Sequence, residues 1–440
     1  MERILHYSPT FSGVNTAETD TVLTLISPPK VTILLVDNGT SGPVSRAAKV
    51  ARSLMEAGAQ VSVLIPNSKL NSTFFDPAIK QVPYNPEHRW RISRQNACWQ
   101  IAKLRPDVLV VDEYPFVSQQ HAHAWENVIR VAKLANPRCV IEGMSNDIPV
   151  YPWNEEAKHM PKRAQRLDHI LVTGDATLSD YESYVASSAL PHVASKIAFV
   201  GYMGEASRNA SVRGTHKPQH ILVYLGGMNL SQLQGRYATL LANIPLLGAE
   251  LQQAEWKFIM PENHDFRAQK MLDLMKEHLP AEIQDRIVFE PANAAFKDKL
   301  QQADMVITGG GLTAVEAAAV AAKPTVILPG FFGDQFQRAK QLAAAYPERV
   351  AAIDLPVYVP KPITAERLRF FRIRNEEIPP WQDQVFQWAT RDGRCAELRE
   401  AITRVYATRD IDHPIPSIQL NGAKHIAQHI MSNALSNFRS

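Results

Sequence analysis

Short apolar runs rich in β-branched residues alternate with amphipathic segments along most of the chain. Residues 31–36 (VTILLV) form a continuous apolar run, which is typical of a strand buried on both faces. Apolar residues between Ala47 and Met55 then recur at helical spacing and stop at Gly58, and residues 60–65 (QVSVLI) form a second apolar run. This order predicts a right-handed βαβ unit with parallel strands.

The same alternation predicts two domains. In the first half, further strands are expected at 108–111, 139–141, 170–173 and 197–200. Residues 203–219 are polar and aperiodic, which predicts a linker. The pattern then restarts, with strands expected at 221–225, 256–260, 287–289, 305–308 and 325–328. We therefore predict an α/β protein with an N-terminal Rossmann-like domain over residues 1–205, a C-terminal one over 220–420, and a helix over 421–440. It stays open whether that helix crosses back to the N-terminal domain.

Length and composition agree with two cores and exclude some classes of function. The chain has 440 residues, of which 45% are hydrophobic, and this length suits two domains of about 200 residues each. A net charge of only +3 gives no broad basic surface for nucleic acid. Cys98, Cys139 and Cys395 have no disulfide or zinc spacing. With no signal-peptide pattern and no apolar run of about 20 residues, we expect a cytoplasmic protein, either soluble or peripheral at the inner membrane face.

Candidate chemistry is concentrated between residues 304 and 335. An apolar strand leads into Gly309-Gly310-Gly311, and a helix begins near Thr313. Glycines let a ligand approach the backbone, and the N-terminus of a helix suits a diphosphate. Glu316, one turn later, is placed to accept hydrogen bonds from ribose hydroxyls. Thr313-x-x-Glu316 is equally a capping box, which would give both side chains a purely structural role.

The order of these features, ending in Asp334-Gln335, resembles the donor site of GT-B glycosyltransferases, in particular the MurG-like family (family 28). The resemblance implies two Rossmann-like domains that face a central cleft, with the nucleotide sugar on the C-terminal domain. Residues 226–229 (GGMN) resemble the family's second phosphate loop, and residues 289–292 (FEPA) its nucleobase loop. The donor-binding residues implied in this way are Gly226, Gly227, Met228, Asn229, Pro291, Ala292, Gly310, Gly311, Leu312, Thr313, Glu316, Asp334 and Gln335.

The sequence departs from the family in its first glycine-rich loop. The acceptor-side loop here consists of Gly39, Thr40, Ser41 and Gly42, and the position of the family's histidine is Pro43. Other candidates for the general base are therefore needed, and they are carboxylates at strand ends: Asp37, which we favour slightly, and Asp112 or Glu113. Ala321 and Pro324 also mark a helix end about one residue longer than the family has.

The resemblance implies a metal-independent hexosyltransferase with a nucleotide-diphosphate sugar as donor, UDP- or dTDP-linked, and a small-molecule or lipid acceptor. No cofactor and no metal ligand are expected, since 410–412 (DID) and His121-x-His123 are more typical of solvated positions. Residues 367–374 (RLRFFRIR) are candidates for peripheral membrane contact, or else for packing of arginine stems over apolar surface. Ser45 and Arg46 either contact an anionic ligand or form an exposed first turn.

Two alternatives remain open at this point. A nucleotide-sugar epimerase or hydrolase can use the same two domains, and a non-catalytic sugar-nucleotide-binding subunit would not need the missing histidine. The sequence leaves undetermined the donor base and sugar, the acceptor, the stereochemical outcome, the oligomeric state and the role of residues 358–395.

Overall fold

The computed structural model describes residues 27–35, 42–66, 74–84, 91–116, 119–148, 159–176, 178, 194–204, 219–226, 230–260, 266–292, 296–330, 333–355, 394–411 and 418–439. Two parallel sheets organise this part of the chain, and every strand pairing in them is parallel. None of the described helices combines the length and the apolarity that a bilayer crossing requires.

The first sheet has seven strands in the order β3-β2-β1-β4-β5-β6-β7. Its strands are β1 (Lys30–Leu34), β2 (Gln60–Pro66), β3 (Lys80–Tyr84), β4 (Val108–Asp112), β5 (Val140–Asn146), β6 (His169–Thr173) and β7 (Ile197–Phe199). The helices associated with it are α1 (Gly42–Glu56), α2 (Arg91–Leu104), α3 (Gln119–Ala135) and α4 (Met160–Gln165). The strand order reverses between β1 and β4, so the sheet has a switch point there.

The second sheet repeats this arrangement with six strands in the order β10-β9-β8-β11-β12-β13. Its strands are β8 (His220–Tyr224), β9 (Glu255–Met260), β10 (Ile287–Pro291), β11 (Met305–Thr308), β12 (Thr325–Ile327) and β13 (Val350–Ala352). The helices associated with it are α5 (Leu230–Asn243), α6 (Ala249–Gln253), α7 (Phe266–Glu277), α8 (Ala281–Gln284), α9 (Phe296–Gln302), α10 (Leu312–Val315), α11 (Gly333–Ala345) and α12 (Arg394–Tyr406). The last described helix is α13 (Gly422–Arg439). Its switch point lies between β8 and β11.

All eleven predicted strands are present, and the predicted fold class is confirmed. Two strands were not predicted, β3 and β13, and both lie at an edge of their sheet. The sequence of β3 (KQVPY) interrupts its apolar residues with polar ones and a proline, and β13 has only three residues. An edge strand is covered on fewer sides, so its sequence carries a weaker apolar signal than a central strand does.

The C-terminal helix α13 packs on the first sheet, not the second. Its apolar residues Ala423, Ile426, Ala427, Ile430 and Ala434 recur at helical spacing and belong to the core that also contains residues of β1, β2 and α1. The segment before α13 contacts the end of the first domain, where the N–H of Tyr202 donates to the carbonyl oxygen of Gln419 over 2.9 Å. The last helix therefore crosses back to the first sheet.

Two glycines make this crossing possible. Gly201 has a φ of 88°, which favours glycine, and it faces Gly422 at the start of α13. A Cβ atom on Gly422 would lie 2.2 Å from the carbonyl oxygen of Gly201, a backbone atom that cannot move aside as a side chain would. The return of the chain thus depends on two backbones in direct contact.

We expect Gly422→Ala to lower the free energy of unfolding by about 1 to 3 kcal/mol, the usual cost of overpacking. Thermal denaturation measures the effect. Gly248→Ala is the control for added volume, because a Cβ atom there meets nothing within 4 Å. Gly248 is the N-cap of α6, so this variant should lose only the preference of that position for glycine over alanine, about 0.5 to 1 kcal/mol. Equal melting temperatures for both variants would contradict the contact between Gly201 and Gly422.

Candidate active site

The glycine-rich loop follows β11 at the switch point of the second sheet. The structural requirement for glycine differs among its three positions. A Cβ atom on Gly309 would lie 2.1 Å from the carbonyl oxygen of Leu225, so the loop packs directly on the end of β8. Gly310 has a φ of 78°. Gly311 has ordinary extended backbone, and a Cβ atom there would meet nothing within 4 Å. Folding therefore requires the first two glycines, whereas the third borders open space at the start of α10.

Glu316 does not cap its own helix. The N-cap of α10 is Gly311, and no side chain makes a capping hydrogen bond there. The capping box considered for Thr313 and Glu316 is thus not formed. Instead, Glu316 begins a π-helical turn, Glu316–Val320, a local feature that is frequent at functional sites.

The carboxylate of Glu316 extends towards the first domain. Its Oε1 atom lies 3.2 Å from Nζ of Lys49 on α1, and the two side chains keep 28% and 41% of their surface exposed. An ion pair with this much exposure contributes little to stability, typically less than about 1 kcal/mol. Both charges can therefore change partner at small cost when a ligand enters between the domains.

Arg338 on α11 is a buried charged group that bonds to both domains. Its guanidinium is 3% exposed and donates to both carboxylate oxygens of Asp147, with Nε to Oδ2 at 2.9 Å and Nη2 to Oδ1 at 2.6 Å. Nη1 donates to the carbonyl oxygen of Gly310 over 2.7 Å. Because Asp147 follows β5 in the first domain, this one side chain connects the glycine-rich loop to the other half of the molecule.

The position of Asp147 is itself closely defined. The hydroxyl of Tyr202 donates to its Oδ2 atom over 3.2 Å. Burial and the neighbouring carboxylate raise the pKa of Tyr202, so this hydroxyl keeps its proton. Gly174 leaves room for Asp147, because a Cβ atom at position 174 would lie 2.6 Å from Asp147 Cβ. Asp147 and Arg338 were not predicted, although Asp334 and Arg338 have the i, i+4 spacing of a helical ion pair.

Asp334 and Gln335 lie at the start of α11 and already have partners within the protein. Oδ2 of Asp334 lies 3.3 Å from Nη1 of Arg338. Burial raises the pKa of Asp334 and Arg338 opposes that rise, while the charge of Asp147 adds to it. The side-chain oxygen of Gln335 accepts a hydrogen bond from the N–H of Gly330 over 2.6 Å, which leaves its amide NH₂ as the end that can donate to a ligand.

A second buried guanidinium lies at the carboxyl end of β4, the strand next to the one that precedes Asp147. Arg46 of α1 is 3% exposed overall, so it is not part of an exposed first turn. Its Nη2 atom lies 2.5 Å from Oδ1 of Asp112, its Nη1 atom donates to Asn146, and Glu113 lies 3.9 Å away. Burial lowers the pKa of Arg46, but Asp112 and Glu113 outweigh it and the net shift is upward. Arg46 therefore stays charged and holds Asp112.

The two carboxylates of this pair differ in accessibility. The side chain of Asp112 is completely buried, whereas that of Glu113 keeps 24% of its surface exposed. Glu113 also has a φ of 58°, a conformation that costs free energy for a residue with a side chain and that is found disproportionately at functional sites. A reacting molecule in the cleft can approach Glu113 and cannot reach Asp112 without displacing Arg46.

Several predicted site residues lie outside the described part of the chain: Asp37, Gly39, Thr40, Ser41, Gly227, Met228 and Asn229. Gly42 is the exposed first residue of α1, and Gly226, two residues after the end of β8, has a φ of 113°. Pro291 and Ala292 end β10, at the same sheet edge as the glycine-rich loop, beside the ion pair of Glu290 with Lys299. Residues 358–393, with the basic and aromatic stretch 367–374, and Asp412 also lie outside the described residues.

Comparison with known proteins agrees with the architecture. No family model and no curated protein matches this chain. The spinosyn forosaminyltransferase SpnP superposes with a TM-score of 0.52 at 15% sequence identity, over 92% of this chain and 99% of that chain. A UDP-glucosyltransferase from Polygonum tinctorium gives a TM-score of 0.52 at 12% identity, over 93% of this chain and 99% of that one. The chain has the GT-B fold.

Another similar structure has been assigned to a different class of enzyme. A Listeria monocytogenes protein assigned as a UDP-N-acetylglucosamine 2-epimerase superposes with a TM-score of 0.51 at 12% identity, over 94% of this chain and 97% of that chain. Sequence identities this low establish the fold and not the reaction, because one fold serves several reactions. Membership of family 28 accordingly stays a prediction.

The two carboxylates on Arg338 should respond oppositely to neutralisation. Asp147→Asn should lower the free energy of unfolding at neutral pH by about 3 kcal/mol, since it leaves a buried guanidinium without its main counter-ion. Asp334→Asn should leave the melting temperature equal or higher. Because the pKa of Asp334 is raised on folding, its ionised form is disfavoured in the native state, and this cost appears as the pH rises through the raised pKa.

The measurement is the melting temperature of both variants and the wild type between about pH 4 and pH 8, a range that begins at the ordinary aspartate pKa. The advantage of Asp334→Asn should be present at pH 8 and shrink as the wild-type carboxyl becomes protonated. A loss of stability in Asp334→Asn as large as in Asp147→Asn would show that Arg338 depends equally on both carboxylates.

Proposed function

We propose that this protein is a glycosyltransferase that moves a hexose-type sugar from a nucleotide-diphosphate donor to a small-molecule or lipid acceptor without a metal ion at the reacting centre. The observation that carries the proposal is the placement of Glu316. Glu316 begins a π-helical turn, and its carboxylate does not cap the helix α10. The carboxylate instead extends towards Lys49 of the first domain, one turn beyond Gly311, where the backbone borders open space. A carboxylate and free backbone N–H groups at this spacing suit a ribose and a diphosphate.

The ion pair between Glu316 and Lys49 supports the same proposal. When vicinal hydroxyls donate to Glu316, the ammonium group of Lys49 is released beside the negative charge that a diphosphate brings. Backbone N–H groups at residues 310–312 and this cation would then stabilise the leaving nucleotide diphosphate. Asp334 and the amide nitrogen of Gln335 would contact the sugar, and Pro291 and Ala292 the base, which we expect to belong to UDP or dTDP.

For the general base we favour Glu113 over Asp112. Asp112 has no exposed surface and is bonded to Arg46, so its role is to hold that guanidinium. Glu113 lies at the carboxyl end of β4, has partly exposed surface and is 3.9 Å from the guanidinium of Arg46. Asp37, which the sequence favoured slightly, lies outside the described residues and stays a candidate.

The first experiment is thermal stabilisation of the purified chain by a panel of nucleotides and nucleotide sugars. One donor class should stabilise the wild type, by about 2.7 kcal/mol at 100 times its dissociation constant. Glu316→Gln should lose this stabilisation with little change in its own melting temperature. Glu250→Gln is the control: Glu250 also has an ion pair, with Arg409, but lies before β9, at the opposite sheet edge.

Stabilisation that survives in Glu316→Gln would contradict the donor site, and stabilisation lost equally in Glu250→Gln would indicate a general effect of surface charge. An effect of divalent cations on nucleotide binding at this site would argue against the metal-independent mechanism.

With the donor known, Glu113→Gln should lower turnover by about 10² to 10⁴, the usual contribution of a general base, while it leaves donor binding unchanged. The measurement is release of nucleotide diphosphate in the presence of a panel of acceptors. Asp112→Asn is the contrast, because it should lower the melting temperature by leaving Arg46 buried without its partner. Full turnover in Glu113→Gln would move the base to Asp37.

The similarity to an epimerase structure gives the second candidate function a specific basis. An epimerase would convert the nucleotide sugar without any acceptor and would yield an altered sugar. Mass spectrometry and chromatography of the donor incubated alone distinguish the two. A transferase leaves the donor intact or releases nucleotide diphosphate, and an epimerase produces an isomer of equal mass.

A further inference from the structure

Four side chains from distant parts of the sequence meet where the C-terminal helix crosses the first sheet. Glu142 lies on β5, and His169 is its neighbour in register on β6. His429 and Asn433 lie one turn apart on α13. Glu142 and His169 are near the starts of their strands, so the cluster is at the sheet edge opposite the catalytic cleft and has no part in the proposed reaction.

The polar atoms of this cluster form a compact group, in which the ligand atoms of Glu142, His169 and His429 all lie within 4.8 Å of one another. Oε1 of Glu142 lies 3.2 Å from Nδ1 of His169, 3.6 Å from Nε2 of His429 and 3.1 Å from Nδ2 of Asn433. That amide nitrogen lies 3.3 Å from Nδ1 of His169 and 2.9 Å from Nε2 of His429. A zinc ion with tetrahedral bonds of about 2.0 to 2.1 Å holds its ligand atoms about 3.3 to 3.4 Å apart. The group therefore has the size of a zinc coordination shell.

Hydrogen bonding alone does not satisfy the carboxylate of Glu142. Its second oxygen is buried and accepts no hydrogen bond from the residues that the structure describes. Because the Glu142 side chain is completely buried, the missing bond is costly. A cation bound by the carboxylate would compensate for this deficit.

The types of ligand atom select the ion. Two imidazole nitrogens, one carboxylate oxygen and one amide oxygen suit zinc, whereas calcium and magnesium prefer six or more oxygen ligands. The amide oxygen of Asn433 takes the place of its nitrogen after a half-turn of the terminal group. The surface of His169 is 38% exposed and that of His429 26%, so an ion can reach the cluster from solvent.

We propose that Glu142, His169, His429 and Asn433 bind one zinc ion that fastens the C-terminal helix to the first sheet. With four protein ligands the site is closed, which is the arrangement of structural and not of catalytic zinc. It connects β5 and β6 to a helix more than 250 residues later in the chain. No local sequence pattern predicts this cluster, since His429 and Asn433 are only an i, i+4 pair and the other two ligands are separated by 27 positions.

The test uses the full chain without a histidine tag, stripped with a chelator and titrated with zinc chloride. Calorimetry and elemental analysis should give one zinc per chain, and zinc should raise the melting temperature, which the chelator reverses. Cobalt(II) in place of zinc should give the visible absorption of a tetrahedral site. His429→Ala and Asn433→Ala should lower zinc affinity at least tenfold, and Glu142→Gln should abolish stoichiometric binding.

Exposed His278 provides the control, because His278→Ala removes an imidazole from the other domain and should keep full zinc binding. If Glu142→Gln does not fold, His169→Ala replaces it, since that side chain is partly exposed and its loss leaves the helix core intact. Absence of stoichiometric zinc, an octahedral cobalt spectrum, or equal affinity in His429→Ala and His278→Ala would each overturn the proposal. Nucleotide binding is expected to be independent of these outcomes.

Discussion

The cleft of this protein depends on the buried ion pair between Arg338 and Asp147. Removing two charges from water costs several kcal/mol for each ion, and only good geometry with further hydrogen bonds compensates that cost. Here the guanidinium is bonded to both oxygens of one carboxylate, to a second carboxylate and to the backbone of Gly310. Such a pair specifies one arrangement of its surroundings, because any displacement leaves a buried charge exposed to apolar groups. The glycine-rich loop, α11 and the end of β5 are fixed together in this way.

The first domain uses the same device on the neighbouring strand, β4. Arg46 holds Asp112 at the end of β4, as Arg338 holds Asp147 at the end of β5. Each guanidinium takes the fully buried carboxylate, and in each case another carboxylate remains partly exposed nearby, Glu113 in one domain and Glu316 in the other. We therefore assign the proposed chemistry to Glu113 and Glu316, the partly exposed carboxylates, and not to the carboxylates that are buried against an arginine. Their rigid neighbours orient them, and their exposure lets them exchange partners with a ligand.

The sequence predicted what depends on local pattern. Central strands such as β4 and β11 are apolar on both faces, so their positions were evident, whereas β3 and β13 are edge strands with little apolar signal. The roles of Thr313 and Glu316 could not be resolved from spacing, since a capping box and a ligand site use the same residue types. The distinction depends on where the helix begins, and Gly311 rather than Thr313 is its N-cap. Arg338 and Asp147 are 191 positions apart, and no local pattern relates them.

The helix α1 connects the two ends of the first domain. Its inner face contributes Val44, Ala47, Val50 and Ala51 to the core shared with α13, and the same helix carries Arg46 and Lys49 towards the cleft. Because protein cores are close-packed, a shift of α13 cannot be absorbed locally and must move α1 with it. The packing of α1 on the first sheet thus depends on how firmly the last helix is docked, through Gly422 at its start and through His429 and Asn433 further along. Fastening that helix would stabilise the core of the first domain without a direct part in donor binding.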